Sequence, residues 1–146
     1  MFKDEITVTG KLNVILVDQM GLVKEEHEFD NLVVTAGKGY IASRMKDATA
    51  TAMSHMAIGT GTTAAAANQT TLVTEANRQA LTSTNVSGAA VTYSATFGAG
   101  KGTGAITEAG LFNASSGGTM LCRTVFSVIN KGAADTLTVS WTVTVS

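Results

Sequence analysis

The clearest pattern in the sequence is a strict alternation of apolar and hydroxyl side chains near its carboxyl end. In the segment 137–145 every odd position is apolar and every even position is Thr or Ser. A two-residue period places successive side chains on opposite faces of a β-strand, so one face is buried and the other meets solvent or a partner. The predicted inward residues are Val139, Trp141 and Val143, and the predicted outward residues are Ser140 and Thr142.

The amino-terminal segment predicts a β-hairpin. Apolar residues fall mainly on the even positions of a first strand, Ile6–Val17. The run Asp18–Gly21 predicts a turn, and the returning strand, Leu22–Phe29, carries so many charges that it requires a solvated face. An isolated two-stranded ribbon is only marginally stable in water. Two arrangements therefore stay open: the hairpin completes the protein's own sheet, or it is an arm that binds a neighbouring subunit or a capsid.

One segment predicts an α-helix. Apolar residues recur at spacings of three and four over Ala36–Asp47, and Thr35 can serve as its N-cap. Gly37 and Gly39 weaken the helix by about 1 kcal/mol each relative to alanine, so it needs tertiary packing to persist. The apolar stripe predicted to join the core consists of Tyr40, Ile41 and Met45.

Between position 50 and the last strand, short apolar runs alternate with glycine-rich or polar connections. The further predicted strands are Met53–Ile58, Gln79–Val86, Val91–Phe97, Ile106–Phe112 and Met120–Ile129. The predicted connections are a turn at Gly59–Gly61, a long surface loop at Thr62–Thr71, a short helical turn at Leu72–Ala76 and a glycine-dense loop at Gly98–Gly104.

Many short strands separated by frequent turns define the expected fold class. We predict a mainly β chain: a single-domain β-sandwich or small barrel with one short helix and an N-terminal β-hairpin. Residues 1–29 form the hairpin in this prediction, and residues 30–146 form the core. No linker or internal repeat divides the 146 residues.

Composition narrows the class of protein. Hydrophobic residues make up 45% and charged residues 14% of the chain, which excludes an intrinsically disordered protein. The net charge of −1 provides no electrostatic footprint for nucleic acid. No apolar run is long enough to span a bilayer, and the first residues lack the apolar stretch of a signal peptide. We therefore expect no nucleic-acid partner, no membrane partner and no export.

No combination of residues predicts a catalytic site, a cofactor or a metal site. His27 and His55 are far apart, and Cys122 is the single cysteine, in a strand pattern typical of a buried thiol. The Gly98–Gly104 loop lacks the first glycine and the Ser/Thr of a phosphate-binding loop, and Gly59–Gly61 lacks the third glycine of a dinucleotide-binding turn. Three Asn-x-Ser/Thr triplets are interpreted as chance matches: Asn68, Asn85 and Asn113.

Charged residues are scarce in the second half of the chain, so the acids and bases inside its apolar strands are expected to pair. An unpaired charge that is partly buried would be costly. We predict that Glu108 forms a structural ion pair with either Arg78 or Arg123, and Glu75 is the remaining acid of this group. The alternative role for such an acid is catalytic.

The order of several short motifs resembles a family of phage proteins. The motifs run Met56-Ala57-Ile58-Gly59-Thr60-Gly61, Leu72-Val73-Thr74-Glu75 with Arg78, Glu108-Ala109-Gly110-Leu111-Phe112, and Met120-Leu121-Cys122-Arg123. In this order they resemble small structural proteins of tailed-phage virions, and they are similar to the N-terminal attachment domain of phage tail-collar fibre proteins. The resemblance covers about residues 30–146.

The resemblance implies a non-enzymatic structural protein of a tailed-phage virion. Two departures from the fibre pattern favour a capsid decoration, or cement, protein: the chain stops after its last strand, and Ala64–Ala67 replace the family's proline. Such a protein would bind the major capsid protein on the outer capsid surface after synthesis in the host cytoplasm, and would self-associate as a dimer or trimer.

Three other functions stay open at this point. The first is a tail, collar or fibre-base component of the same virion. The second is a small carbohydrate-binding module, which the aromatic content of 5% disfavours because such modules usually present exposed aromatic rings. The third is an enzyme such as a depolymerase, which the missing acid–base constellation disfavours.

Overall fold

The computed structural model describes residues 4–46 and 51–146, and within these ranges it contains ten strands and one helix. The elements are β1 Val8–Val17, β2 Val23–Asp30, β3 Leu32–Val33, α1 Thr35–Lys46, β4 His55–Gly59, β5 Glu75–Ala80, β6 Ser83–Ser87, β7 Ala90–Phe97, β8 Gly104–Phe112, β9 Met120–Lys131 and β10 Thr136–Val145.

The strands form two antiparallel sheets. The first has the order β2-β1-β10-β7-β6, and the second has the order β3-β9-β8-β4-β5. Apolar side chains of both sheets form one buried cluster between them, which makes the fold a β-sandwich. The predicted mainly β class with one short helix is confirmed. Both sheets are open over the residues described, so of the two predicted forms the sandwich is correct and the closed barrel is not.

Strand β10 follows the alternation predicted from its sequence. Val139 and Trp141 are 1% and 0% exposed, and Val143 is 6% exposed, whereas Ser140 and Thr142 on the opposite face are half-buried. The strand lies at the centre of the first sheet, between β1 and β7. Its inward face therefore meets the second sheet and its outward face is open.

We expect Trp141→Ala to lower the free energy of unfolding by about 3–5 kcal/mol, because it leaves a large cavity in the core. The indole Nε1 lies in the core without a hydrogen-bond partner among the described residues. Trp141→Phe, which keeps most of the ring and removes that unpaired donor, should therefore cost less than the alanine variant. Urea unfolding of both variants tests this, and equal losses would contradict it.

The N-terminal hairpin belongs to the first sheet. Strand β1 pairs with β2 on one side and with β10 along its whole length on the other. Its inward side chains Leu12, Val14 and Leu16 are at most 2% exposed. The protein's own sandwich thus covers the apolar face of the hairpin. Strand β2 is the edge of the sheet, where its charged side chains meet solvent.

A salt bridge ties this edge to the turn between β9 and β10. Lys24 Nζ lies 2.8 Å from Asp135 Oδ2, and the same carboxylate accepts the backbone N–H of Gly132 at 2.7 Å. The hydrogen bond from Lys24, followed by that from Gly132, lowers the pKa of Asp135 below its ordinary value of 3.8. Conversely, the hydrogen bond to Asp135 raises the pKa of Lys24.

Asp135 should therefore contribute a pH-dependent part of the stability. A carboxyl group whose pKa is lower in the folded state stabilises the fold above its unfolded pKa of 3.8 and loses that contribution as the pH falls through the folded value. We expect the melting temperature of Asp135→Asn to lie below that of the unaltered chain at neutral pH, and the gap to narrow below about pH 4. A gap that stays constant down to about pH 2.5 would contradict this assignment.

Helix α1 packs on β9 and differs from the prediction at its start. It begins at Thr35, and the Val34 carbonyl accepts the N–H of Lys38 at 3.0 Å, so Val34 rather than Thr35 is the N-cap. The predicted last residue, Asp47, lies outside the described residues. In the predicted stripe, Tyr40 and Ile41 pack against the core, but Met45 is 83% exposed, so that assignment was wrong.

The two helix glycines have different roles. A Cβ built on Gly37 would collide with the Leu121 backbone of β9, coming within 2.7 Å of its carbonyl carbon, whereas a Cβ on Gly39 meets nothing within 4 Å. We expect Gly37→Ala to force the helix away from β9 and to destabilise the fold by roughly 1–3 kcal/mol. Gly39→Ala is the matched control and should stabilise by up to about 1 kcal/mol. Thermal unfolding of the two variants should give shifts of opposite sign.

Two other predicted elements are corrected. Residues 72–74 make no helical turn, because the chain there runs into strand β5. The predicted strand Gln79–Val86 is in fact the end of β5 and most of β6, which belong to different sheets. The backbone changes sheet between Leu81, whose N–H bonds Ser54 O at 2.9 Å, and Thr82, whose N–H bonds Ser94 O at 2.8 Å.

Candidate functional site

The motifs that carry the family resemblance come together on the outer face of the second sheet. Gly59 of β4 is the register partner of Glu108 in β8, and Ala57 is the partner of Gly110. Gly110 in turn pairs with Arg123 of β9. Motifs far apart in sequence therefore occupy adjacent strands, with the segment 60–74 between β4 and β5 contacting all of them.

Glu108 is the centre of this arrangement. Its carboxylate accepts the backbone N–H groups of Val73 at 2.8 Å and Thr74 at 3.0 Å. It also accepts Nε and Nη2 of Arg123, both at 3.3 Å, and both charged side chains are 0% exposed. The predicted ion pair of Glu108 is thus confirmed, and of the two arginines left open its partner is Arg123.

Arg123 uses its remaining nitrogen to hold the same segment. Nη1 donates to Thr63 O at 3.0 Å and to Gln69 Oε1 at 2.9 Å. Gln69 in turn accepts the Ala66 N–H at 3.0 Å and donates to Ala64 O at 3.2 Å. We call this set of contacts among Glu108, Arg123, Gln69 and the segment 60–74 the loop clamp. It fixes a long connection that has no secondary structure of its own.

The glycines of the Gly-Thr-Gly motif make room for the loop clamp. A Cβ on Gly61 would overlap Glu108 Oε2 and approach its carboxyl carbon to 2.8 Å, and a Cβ on Gly59 would overlap the Thr74 carbonyl oxygen. Thr107 donates its hydroxyl to Gly61 O at 2.8 Å. The two glycines thus allow the backbone to pack closely against the Glu108 carboxylate and the Thr74 carbonyl.

A small second apolar cluster lies beside the loop clamp. Leu72, which is 5% exposed, packs with buried side chains of the sheet's outer face and of the segment before the helix. The cluster consists of Val34, Ala57, Leu72, Phe112 and Met120. The backbone N–H of Thr35 also bonds Ala67 O at 2.8 Å, so the segment 60–74 is joined to the start of α1.

Arg78 holds the turn between β8 and β9. Its guanidinium lies 3.7 Å from the centroid of the Phe112 ring, and its Nη1 donates to the carbonyls of Ala114 at 3.0 Å and Gly117 at 2.9 Å. Nη2 pairs with Glu75 Oε1 at 2.7 Å. The sequence had placed Arg78 only as a possible partner of Glu108. The i,i+3 spacing of Glu75 and Arg78 predicts a contact in a helix, where residues three apart are neighbours. Both residues lie in strand β5, so the spacing alone did not predict their pairing.

The charged groups of the loop clamp are fully engaged in internal contacts. Each carboxylate oxygen of Glu108 accepts at least one N–H, and no part of Glu108 or Arg123 is exposed. A catalytic acid must reach a substrate proton within hydrogen-bond distance, which this burial prevents. The Glu108–Arg123 pair therefore serves to position the backbone of the segment 60–74.

The remaining candidate residues do not converge. His27 pairs with Glu25 at 3.0 Å in the first sheet, and His55 contacts Ser54 Oγ at 2.8 Å in the second. Cys122 is buried in β9, and burial raises the pKa of its thiol well above the ordinary value. In the ranges 4–46 and 51–146 no three His, Cys, Asp or Glu side chains are grouped to hold a metal ion.

The glycine-dense loop Gly98–Gly104 joins β7 to β8. Gly100 and Gly102 adopt φ values of 76° and 69°, and the chain continues directly into a strand rather than a helix. Lys131 Nζ donates to Gly98 O at 2.8 Å.

The part of the chain that is described contains no helix long and apolar enough to cross a membrane.

The outer face of the first sheet is a hydroxyl-rich surface. Across β10 and β7, Thr142 lies 2.9 Å from Thr92 and Ser140 lies 3.3 Å from Ser94, hydroxyl to hydroxyl. A shallow depression of about 520 Å³ on this face is lined by residues of β1, β2 and β10. The surface offers hydroxyl donors and acceptors for a partner, with Lys11, Glu28 and Asp30 on its β1–β2 side.

Together, the sandwich and its loop clamp define a structural module in which the distinctive residues hold loops in place. The family described as phage tail-collar fibre protein, N-terminal, matches residues 26–146. The match covers most of the chain, so the chain belongs to this family, and the resemblance seen in its motifs is confirmed. Comparisons with curated proteins and with solved structures find no match. The protein is thus a phage virion component related to tails and fibres.

Proposed function

We propose that the chain is a non-enzymatic attachment module of the virion that binds another virion protein at the tail, collar or fibre base. The observation that carries the proposal is the family match over residues 26–146, a family of tail-collar fibre N-terminal domains. The loop clamp supports the proposal, because the motif residues Glu108 and Arg123 hold the segment 60–74 in a fixed position. A rigid surface loses little conformational entropy on binding, which favours an attachment role.

The capsid decoration role expected from the sequence stays a prediction, since the family match fits a tail or fibre component at least as well. Binding to the major capsid protein and a place on the outer capsid surface are part of that prediction. A decoration protein would stabilise the shell because it binds the assembled lattice and not the separated subunits. Both roles require a protein partner, so location in the particle distinguishes them.

Copy number and location test the proposal directly. Purified particles are separated into heads and tails, and the chain is quantified in each by mass spectrometry against labelled peptides. A handful of copies per particle, all in the tail fraction, is the expected result. Hundreds of copies in the head fraction would instead establish decoration, and absence from both fractions would overturn both roles.

The non-enzymatic assignment has its own test. Glu108→Gln, Cys122→Ser and His55→Ala should change stability or assembly, and none should abolish a turnover reaction. Purified chain is incubated with host surface glycans and with peptides, and products are sought by mass spectrometry. Cleavage that disappears with any one of these substitutions would contradict the proposal.

A further inference from the structure

The two edges of the first sheet differ sharply in charge. Strand β2 at one edge contains Lys24, three glutamates and Asp30. Strand β6 at the other edge, Ser83-Thr84-Asn85-Val86-Ser87, contains no charge and no proline, and all five residues are exposed. Natural edge strands are usually protected by charges, proline or a bulge, because their free backbone groups can pair with another strand. Strand β6 has none of these protections.

The backbone of β6 has one set of hydrogen-bonding groups directed away from the sheet. A two-residue turn connects β6 to β7, and the residues that flank this turn, Ser87 and Ala90, are register partners. In an antiparallel hairpin of this kind the flanking pair is hydrogen-bonded and the pattern alternates. The N–H and C=O groups of Ser83, Asn85 and Ser87 therefore point to β7, and those of Thr84 and Val86 point outward.

The side chains of β6 are nearly self-complementary. In a two-fold antiparallel pair of β6 strands centred on Asn85, serine faces serine, Thr84 faces Val86, and Asn85 faces its own copy. Thr84 and Val86 are the residues whose backbone groups point outward, so this register forms about four inter-chain hydrogen bonds. It also covers Val86, which is 69% exposed in the single chain.

The rows of polar side chains on the outer face continue through the same register. Asn85 lies beside Thr92 of β7, which pairs with Thr142 of β10. Ser83 lies beside Ser94, which pairs with Ser140. At the two-fold axis the first row would continue into its own copy. A two-fold pair of β2 strands centred on Glu26 would place Glu26 opposite its own copy, a like-charge contact that β6 does not have.

We propose that two copies of this chain associate through β6, so that their first sheets join into one continuous ten-stranded sheet. The occupant of the open edge is a second copy of the chain, since the strand matches itself in register, hydrogen-bonding pattern and lack of charge. This contact is an isologous two-fold interface, in which the same surface is used by both copies. It goes beyond the proposed attachment role and is independent of whether that role lies in the tail or the head.

The first experiment measures association of the full chain by sedimentation velocity. From about 1 µM to about 1 mM, which spans weak to moderate affinities, the expected result is a concentration-dependent shift from monomer to dimer. A monomer throughout this range would overturn the proposal.

A charge-swap pair tests the strand itself. In the register above, Thr84→Lys with Val86→Lys places lysine opposite lysine twice, and we expect association at least about tenfold weaker. The corresponding double glutamate variant should behave alike, and an equal mixture of the two variants should recover the dimer. Val23→Lys, at an exposed position of β2, is the matched control and should leave association unchanged. Lysine variants that still dimerise, or a mixture that stays monomeric, would exclude β6.

Disulfide trapping tests the register without depending on charge. Cα atoms of a directly opposed, non-hydrogen-bonded pair lie about 4.5 Å apart, within disulfide range. Asn85→Cys should therefore form a covalent dimer on mild oxidation. Ser83→Cys is the control, because its copy lies about 13 Å away along the strand, and the buried Cys122 is common to both. Equal trapping of the two variants, or trapping of Ser83→Cys alone, would overturn the proposed register.

Discussion

Deletion of residues 1–28 is expected to abolish folding of the remaining chain. It removes all of β1 and most of β2, and with them Leu12, Val14 and Leu16 from the centre of the core. Full burial of an aliphatic side chain contributes about 1.5–3 kcal/mol, so three of them approach the total stability of a small domain, about 5–15 kcal/mol. The deletion also exposes the edge of β10 next to Trp141.

Circular dichroism, soluble yield and calorimetry check this expectation. Deletion of residues 1–4 is the matched control: it stops before β1 and leaves the two backbone bonds between Thr7 and Ser146, of 2.6 and 2.8 Å. That variant should melt cooperatively near the temperature of the unaltered chain. A fragment 29–146 that is soluble and melts cooperatively would show instead that the hairpin is a separable arm.

Glu108→Ala is expected to cost about 3–5 kcal/mol in the free energy of unfolding. Removing one member of a buried ion pair costs about 3–5 kcal/mol because the other charge is left uncompensated. The N–H groups of Val73 and Thr74, which are exposed residues, also lose their acceptor and become open to water. The segment 60–74 should therefore lose its fixed position before the sandwich unfolds.

Chemical denaturation and amide hydrogen exchange measure the two effects separately. Glu75→Gln is the control, since it removes an ion pair whose carboxylate is 35% exposed, and it should cost at most about 1 kcal/mol. Exchange should accelerate at Val73 and Thr74 in Glu108→Ala and stay unchanged in Glu75→Gln. Equal losses of stability in the two variants would show that the loop clamp contributes little.

These tests address contacts that no local pattern in the sequence could identify. The sequence placed Glu108 with an arginine because a buried charge needs a partner, but Arg78 and Arg123 satisfied that argument equally well. Only the register of β8 and β9 brings Arg123 beside Glu108, while Arg78 is turned toward Glu75 and the Phe112 ring. The role of Gly37 was hidden for the same reason, because it depends on the Leu121 backbone of a distant strand.

The errors along the chain have a common physical origin. Residues 79–86 show β character throughout, so their sequence predicts one strand, yet the backbone leaves the second sheet at Leu81 and enters the first at Thr82. Side-chain period reports whether a segment is extended and does not report which sheet it joins. Likewise, Met45 continues the helical spacing of Ile41, but the helix is exposed at that position.

By itself, the sequence determined what depends on local pattern and composition. The two-residue period of β10 set which side chains enter the core, scarce charge predicted internal pairing, and the order of short motifs indicated the phage family. The tertiary structure alone decided which strands are neighbours, that the protein's own sandwich covers the hairpin, and that the loop clamp holds the segment 60–74. The physical reason is that strand pairing and burial are set by contacts between residues far apart in the chain, whereas period, propensity and composition are properties of short segments.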